Sequence, residues 1–387
     1  MKNMLSRILG VNNVIIVLLL SLMFLNISNY WYVLAILPIG YLLMFRFRYV
    51  SCDTTLVLLF LFGLMYMAFA VESEVPMSVK MTLVLIFPML YVMGRYIGRT
   101  ESDNGVVNVM YILAFAMAAM YLFSISESVA EEGFVVDDRH TEIQGSGSNI
   151  ERSATGIYSN LMILSMFLLS LFIKLPYKKK LIYVIGAALA IYSSVRIQSR
   201  TSIMLLLTVG IVTLVLNLKT VVLRNFWVTI TSIVLISGIT FYVLNTYEEE
   251  LMIIERFQED DTKTAGDRTV LSANVVNALQ THPFGGLEHM PYAHNLWLDT
   301  ARVAGIVPFV ILVVITLMFI PTLINIYTNR RHSFNYRFMM TAFALAFIIY
   351  MNTEPVLEGC PILFGLFCLF MGMTREHNKV IDCSCEE

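Results

Sequence analysis

The chain has 387 residues, of which 58% are hydrophobic and 14% are charged, and its mean hydropathy is +0.73. Soluble proteins carry about 25% charged residues, so this composition excludes an ordinary soluble domain and is typical of a polytopic membrane protein. The formal net charge is −2. The sequence has no basic stripe interleaved with aromatic residues, so nucleic acid is excluded as a partner.

Apolar stretches recur along the whole chain, which we interpret as one membrane domain covering residues 1–387. Because a helix needs roughly 17 to 25 residues to cross a bilayer, they predict an all-α protein with about twelve transmembrane helices. The predicted spans are residues 11–27, 30–45, 53–71, 79–94, 105–125, 154–173, 181–198, 201–217, 226–244, 298–327, 338–351 and 361–373.

Lysine and arginine occupy every second connection between these spans. Positive loops near span ends stay in the cytoplasm, so both termini are predicted to be cytoplasmic. The basic amino-terminal start and its apolar run are not followed by a small-residue cleavage pattern, so this segment is predicted to remain as the first span. The alternate connections face outward and include two long polar segments, residues 126–153 and 245–297.

The first outer segment, residues 126–153, has seven acidic residues against Arg139 and Arg152. His140 follows two aspartates, but no second histidine or cysteine stands at ligand spacing, so we expect a solvated acidic loop and no metal. The two thiols of the terminal "CSC" at 383–385 could bind a metal or be acylated, but we interpret them as having neither role. No disulfide within the chain is expected.

A short outer turn at 193–202, "SSVRIQSRTS", keeps two arginines against the inward bias of the rest of the chain. Arg196 and Arg200 are four residues apart and would share a helix face. Either these side chains snorkel to lipid headgroups, or they bind an anion.

The second outer segment, residues 245–297, contains two predicted cap helices. The first is "EEELMIIERF", and the second begins at Thr264 or Asp267 and stops at "HPFGG". Arg268 lies in the first turn of the second helix, where free backbone N–H groups also favour an anion. Arg268, Arg196, Arg200 and His294 would cluster at the outer rim, which suits the pyrophosphate of a lipid-linked donor.

Four motifs in the carboxy-terminal half together resemble the O-antigen ligase and O-antigen polymerase superfamily. They are "SRTSIMLLLTVGIV" at 199–212, "R…ALQTHPFGG" at 268–286, "AHNLWLDTARVAGIVPF" at 293–309 and "NTEPVLEG…FG" at 352–365. The match rests on their order, spacing and shared outer face, together with the count and orientation of the spans.

The resemblance implies a C-type, metal-independent membrane glycosyltransferase that works without a cofactor on the outer, periplasmic side of the bacterial inner membrane. It implies a donor glycan on undecaprenyl pyrophosphate, with the essential histidine at His294 and the two arginines at Arg200 and Arg268. The family usually has two glycines after the histidine helix, whereas this chain reads "AGIVP", with Gly305 and Pro308.

The residue types fit this chemistry. Arginines stabilise the charge that develops on the leaving pyrophosphate, and a histidine takes the proton of an acceptor hydroxyl near neutral pH. Asn295 or the backbone would fix the tautomer of His294, and Glu288 or Asp299 would orient it. Glu354 is either an acceptor-binding group or a helix cap. His282 and His289 are interpreted as loop histidines without a chemical role.

The acceptor separates the two activities of the family. A polymerase extends a lipid-linked repeat unit and a ligase glycosylates lipid A core; compact, acidic outer segments favour the polymerase. A chain-length regulator is a further expected partner, besides membrane lipids. The rival interpretations are a lipid-linked oligosaccharide flippase, which would carry its polar residues at the membrane midplane, and a structural membrane subunit, which would not need His294 and the arginines together.

Overall fold

The computed structural model describes residues 10–26, 31–46, 51–71, 75, 77–132, 181, 185 and 264–383. Within these residues the regular structure is helical, and no strand occurs among them. The amino-terminal helices are α1 (Val14–Phe24), α2 (Trp31–Leu34), α3 (Ile36–Arg46), α4 (Thr54–Phe69), α5 (Met77–Met81), a π-helical turn (Thr82–Ile86), α6 (Phe87–Thr100) and α7 (Asp103–Glu132). The carboxy-terminal helices are α8 (Thr264–Thr281), α9 (Leu296–Ala304), α10 (Ile306–Thr328), α11 (Phe334–Met351), α12 (Val356–Gly359) and α13 (Pro361–Cys383).

Three described helices are long and apolar enough to cross a membrane: Met77–Thr100, which joins α5, the π-helical turn and α6, and then α10 and α11. Shorter apolar helices cover Val14–Phe24, Trp31–Arg46, Thr54–Phe69 and Asp103–Met117. Only 22% of the α10 window is buried, as expected for an apolar helix that faces lipid. A helical membrane-associated protein is therefore confirmed at this level, and the predicted spans 154–173, 201–217 and 226–244 lie outside the described residues, as does nearly all of 181–198.

Two helix boundaries differ from the sequence prediction. Helix α7 continues to Glu132, so the first seven residues of the predicted outer loop 126–153 are helical. The predicted span 298–327 is not one helix, because Gly305 adopts a φ of 83° and separates α9 from α10. Such a left-handed residue cannot continue an α-helix, and glycine adopts it without the clash of a Cβ atom.

Helices α6 and α13 pack closely along a line of glycines. A Cβ atom at Gly94 would collide with the backbone of Leu369 and Met373, and a Cβ atom at Gly372 would collide with the backbone of Tyr91. Small residues allow this close approach between membrane helices, where van der Waals packing replaces the hydrophobic effect as the source of association.

Polar contacts at the end of α6 tie together neighbouring segments. The Glu101 carboxylate accepts hydrogen bonds from the backbone N–H groups of Asn12 and Asn13 at 2.7–2.9 Å, immediately before α1. Asp103 begins α7 two residues later. We call this part of the bundle the Asp103 end. The start of α9, which lies at the opposite end of α10, is called the His294 end.

Candidate active site

The loop at 282–295 connects α8 to α9 and folds back on the carboxyl end of α9. The Gly286 N–H donates to the Val303 carbonyl at 3.1 Å. Gly285 and Gly286 have φ values of 86° and 74°, in the left-handed region that glycine adopts readily. The "HPFGG" segment therefore ends α8 at Thr281, as predicted, and also turns the chain onto α9.

His294 lies at the end of this loop in an unusual backbone conformation, with a φ of 52°. Asp299 in the first turn of α9 accepts hydrogen bonds from the backbone N–H groups on both sides of it, Ala293 at 2.7 Å and Asn295 at 3.0 Å. The Asn295 side chain caps α9 by accepting from two N–H groups of its first turn. A left-handed non-glycine residue costs on the order of 1–3 kcal/mol and persists only where surrounding contacts impose it, often at functional sites.

The imidazole of His294 faces a carboxylate from the other side of the site. Its Nδ1 atom lies 3.8 Å from Oε2 of Glu354, and the two side chains are 33% and 15% exposed. This separation is too long for a hydrogen bond, and Nδ1 is buried without a hydrogen-bond partner among the described residues. A small rotation of either side chain would close the contact, which would leave Nε2 to meet a substrate.

Arg302 joins the two segments that carry this pair. Its side chain is 2% exposed, and Nη2 lies 2.6 and 2.7 Å from the two carboxylate oxygens of Glu358. Nη1 donates to the backbone carbonyls of Glu288 and Met290 at 3.2 and 3.1 Å, and Nε lies 3.5 Å from Asp299. Arg302 thereby fastens the loop before His294 to the segment after Glu354.

Burial dominates the electrostatics of Glu358. It raises the pKa of the Glu358 carboxyl from its ordinary 4.5 to about 7, although the neighbouring Arg302 guanidinium acts in the opposite direction. Arg302 is therefore bound within its own buried network, and the geometry assigns it a structural part in the site rather than a free cation for a ligand.

A cavity of about 490 Å³ opens beside this network. Residues 288–292 form one wall, Leu357 and Glu358 form another, and Val75 with Val79 closes it. The ring of Tyr292, which is 45% exposed, lines the cavity and lies edge-on to His294 with 6.3 Å between ring centroids. The cavity thus combines acidic groups, an exposed aromatic ring and apolar surface next to the candidate base.

The structure brings together three of the predicted site residues, His294, Asn295 and Glu354. Arg268 lies on α8, seven residues before the buried Val275 that packs against α9, or about 10 Å along the helix. Among the described residues, the contacts of the His294 ring are with Glu354 and Tyr292, and Arg268 is not one of them. Arg196 and Arg200 lie outside the described residues.

Sequence reasoning did not single out Arg302 or Glu358, and it gave Asp299 a different part. Asp299 accepts hydrogen bonds from the backbone on both sides of His294, whereas the sequence suggested it, as an alternative to Glu288, to orient the imidazole. The available signal was an aspartate and an arginine three residues apart in "LDTAR", within an apolar stretch where charged groups need partners. The partner Glu358 could not be recognised, because it lies 56 residues further along the chain.

No protein-family model and no curated protein sequence matches this chain.

Proposed function

We propose that this protein is an O-antigen or related surface-polysaccharide polymerase. It transfers the glycan from undecaprenyl pyrophosphate to a lipid-linked repeat unit, without a metal or another cofactor. The observation that carries the proposal is His294, which is held in a left-handed conformation beside Glu354 at the start of the helix pair α9 and α10. The four ordered sequence motifs supply the donor class.

The proposal includes a membrane arrangement. About twelve helices span the bacterial inner membrane, both termini are cytoplasmic, and the His294 end faces the periplasm under a helical cap. Support comes from the predicted alternation of positive loops and from the apolar helices that lead away from the site. Arg268, Arg196 and Arg200 bind the pyrophosphate in this arrangement.

The reaction is an inverting displacement at the anomeric carbon. Nε2 of His294 takes the proton of the acceptor hydroxyl while the hydroxyl oxygen attacks that carbon, and the bond to the pyrophosphate oxygen breaks. The leaving undecaprenyl pyrophosphate keeps the electron pair, and the arginines stabilise its charge. Glu354 faces Nδ1 and stabilises the imidazolium that forms, as the third group does in a nucleophile–base–acid arrangement.

The acceptor decides between polymerase and ligase. The described residues around the cavity contribute Glu288 and Glu358, and their lone arginine, Arg302, is already paired. An acidic, partly aromatic surface suits the hydroxyl groups of a neutral sugar better than a phosphorylated core oligosaccharide. This favours the polymerase, with the ligase as the second candidate.

The first experiment replaces the base. In a strain that lacks the endogenous gene, His294→Ala is expected to lower polymerisation by roughly 10²–10⁴-fold, the usual contribution of a general base. His282→Ala is the matched control, because that exposed histidine lies in the same loop but does not line the cavity. Long-chain glycan at normal abundance with a correctly inserted His294→Ala protein would overturn the enzymatic proposal.

The second experiment separates the two acceptors through the glycan that remains in the deletion strain. Lipid A core bearing a single repeat unit means that ligation survives and polymerisation is lost. Core without any repeat unit means that either the ligase or the flippase is lost. Lipid-linked glycan accumulated on the periplasmic side then identifies the ligase, and lipid-linked repeat units accumulated on the cytoplasmic side identify the flippase.

A further inference from the structure

A cluster of metal-ligating side chains lies at the Asp103 end, remote from the candidate active site. Asp103 begins α7, His332 lies between α10 and α11, and His377 lies on α13. The 23 residues of α10 separate this cluster from the start of α10 near His294, a distance of about 35 Å at 1.5 Å per residue. Any ligand bound here is therefore independent of the glycosyl-transfer site.

Both imidazole rings converge on one carboxylate oxygen. Oδ1 of Asp103 lies 2.7 Å from Nε2 of His377 and 3.1 Å from Nδ1 of His332, and the three potential ligand atoms all fall within 4.8 Å of one another. Both histidines are 2% exposed. The other carboxylate oxygen, Oδ2, accepts the backbone N–H of Ser333 at 2.5 Å, which fixes the orientation of Asp103.

The hydrogen bond on the far side of His377 decides what its inner nitrogen presents. Nδ1 of His377 lies 2.9 Å from the Gly98 carbonyl oxygen. A carbonyl only accepts, so Nδ1 carries the hydrogen, and in a neutral ring Nε2 then presents a lone pair. That lone pair faces the carboxylate oxygen of Asp103, 2.7 Å away, so a cation must offset their repulsion, either a proton on Nε2 or a metal ion bound by both atoms.

We infer that Asp103, His332 and His377 form a binding site for a divalent transition-metal ion of the zinc class. Two imidazole nitrogens and one carboxylate oxygen are a common donor set for zinc, and a fourth position is left for water. The bond from His377 to a backbone carbonyl is the usual outer contact of a metal-binding histidine. Insertion of the ion requires the donor atoms to separate by roughly half an ångström, so that each can bind at about 2.0–2.2 Å.

The position of the cluster indicates what the ion does. Asp103 belongs to the junction of α6 and α7, His332 to the connection before α11, and His377 to α13, so a bound ion would cross-link α13 to two connections between helices. His332 also stacks on Tyr336 of α11, with 4.4 Å between ring centroids. The ion would stabilise the packing at this end of the bundle, and it takes no part in the glycosyl transfer.

The test measures metal binding by the full-length protein in detergent, purified through an affinity tag that contains no histidine. The background carries Cys383→Ser and Cys385→Ser, so that the terminal thiols cannot bind the probe. The variants are Asp103→Asn and His377→Gln, and His289→Gln is the matched control. The probes are Zn²⁺, quantified by elemental analysis after dialysis, and Co²⁺, followed by its ligand-field absorption.

The background protein and the His289→Gln control are expected to retain near-stoichiometric Zn²⁺ and to give the intense absorption of four-coordinate Co²⁺. Removal of a ligand should weaken binding by more than the roughly 10–100-fold that follows the loss of an outer contact. Zn²⁺ should also raise the unfolding temperature of the background protein, and it should not raise that of Asp103→Asn.

Two results would overturn the inference. One is a folded background protein that binds neither ion, which means that protons alone close the Asp103 contacts. The other is equal binding by the background and both ligand variants, which means that the metal lies elsewhere. If one ligand variant fails to fold, comparison of the background protein with the other ligand variant still decides the question, and this comparison does not depend on whether the chain is a polymerase.

Discussion

Replacing Arg302 with methionine tests whether a buried charge network holds the candidate active site together. The Arg302 side chain is 2% exposed and contacts both oxygens of Glu358 at 2.6 and 2.7 Å. Methionine fills a similar volume, but it leaves the Glu358 carboxylate and two backbone carbonyls without their donor. Removing one member of a buried pair costs about 3–5 kcal/mol, and we expect about 4 kcal/mol at pH 8.

Thermal unfolding in detergent, followed by intrinsic fluorescence, measures this loss. An unfolding entropy of about 2.1 cal/mol/K per residue gives about 0.8 kcal/mol/K for 387 residues. The expected decrease in unfolding temperature is therefore about 5 °C. Arg331→Met is the matched control, because the Arg331 side chain is 53% exposed and lies 3.9 Å from Asp382; it should cost less than about 1 kcal/mol.

The loss should depend on pH in a defined direction. Burial raises the pKa of Glu358 in the folded protein to about 7, above its ordinary 4.5. Between these values the unfolded chain has released a proton that the folded chain retains, so stability falls as the pH rises, by at most about 1.4 kcal/mol per pH unit. Without Arg302 the folded pKa rises further, so the variant should continue to lose stability between pH 7 and 8, where the native protein has levelled off.

A double variant tests the origin of the effect. Arg302→Met/Glu358→Met removes the unpaired carboxylate, and apolar replacement of a buried pair is often neutral or stabilising. We expect it to recover at least half of the lost unfolding temperature. A single Arg302→Met variant within 1 °C of the native protein, or a double variant less stable than the single one, would refute the buried-charge reasoning.

Two further substitutions test local features of the fold. Gly94→Ala should lower the unfolding temperature markedly, because the new Cβ atom collides with the α13 backbone. Gly40→Ala is the control and should have little effect, because nothing lies within 4 Å of the Cβ atom that it adds. Equal effects in a thermal-shift measurement would contradict the close packing of α6 and α13. Asn295→Ala should lower the free energy of unfolding by about 1 kcal/mol through loss of the α9 cap, and it should also reduce polymerisation by releasing the backbone of His294. Asn295→Asp keeps the capping oxygen and should retain most of the stability. An unchanged polymer length distribution in Asn295→Ala would show that the cap does not position His294.

Local signals predicted some boundaries correctly and missed others. The stop at "HPFGG" was predictable, because proline and consecutive glycines disfavour helix whatever surrounds them. The break at Gly305 was not, because its neighbours are apolar and a single glycine is tolerated inside a membrane helix. Contact with the loop at 283–284 sets its conformation: a Cβ atom at Gly305 would lie 2.5 Å from the Pro283 carbonyl oxygen.

Individual side chains show the same division at the candidate site. His294 was recognised from its motif and from its position before an apolar helix. Its left-handed backbone and its approach to Glu354 depend on Asp299 and on a second segment 60 residues away. Arg302 would be read from sequence as a snorkelling side chain, whereas in the structure it is fully enclosed by its partners.

The sequence by itself determined that the described chain is helical and rich in apolar segments, because the length of an apolar stretch is a property of a short window and needs no tertiary contact. Only the tertiary structure decided which charged residues are neighbours. Asp103 is separated from His332 and His377 by 229 and 274 residues, and no local pattern marks them as a group. Buried charges must find partners wherever packing brings the helix ends together, and that pairing is a property of the assembled bundle rather than of any segment.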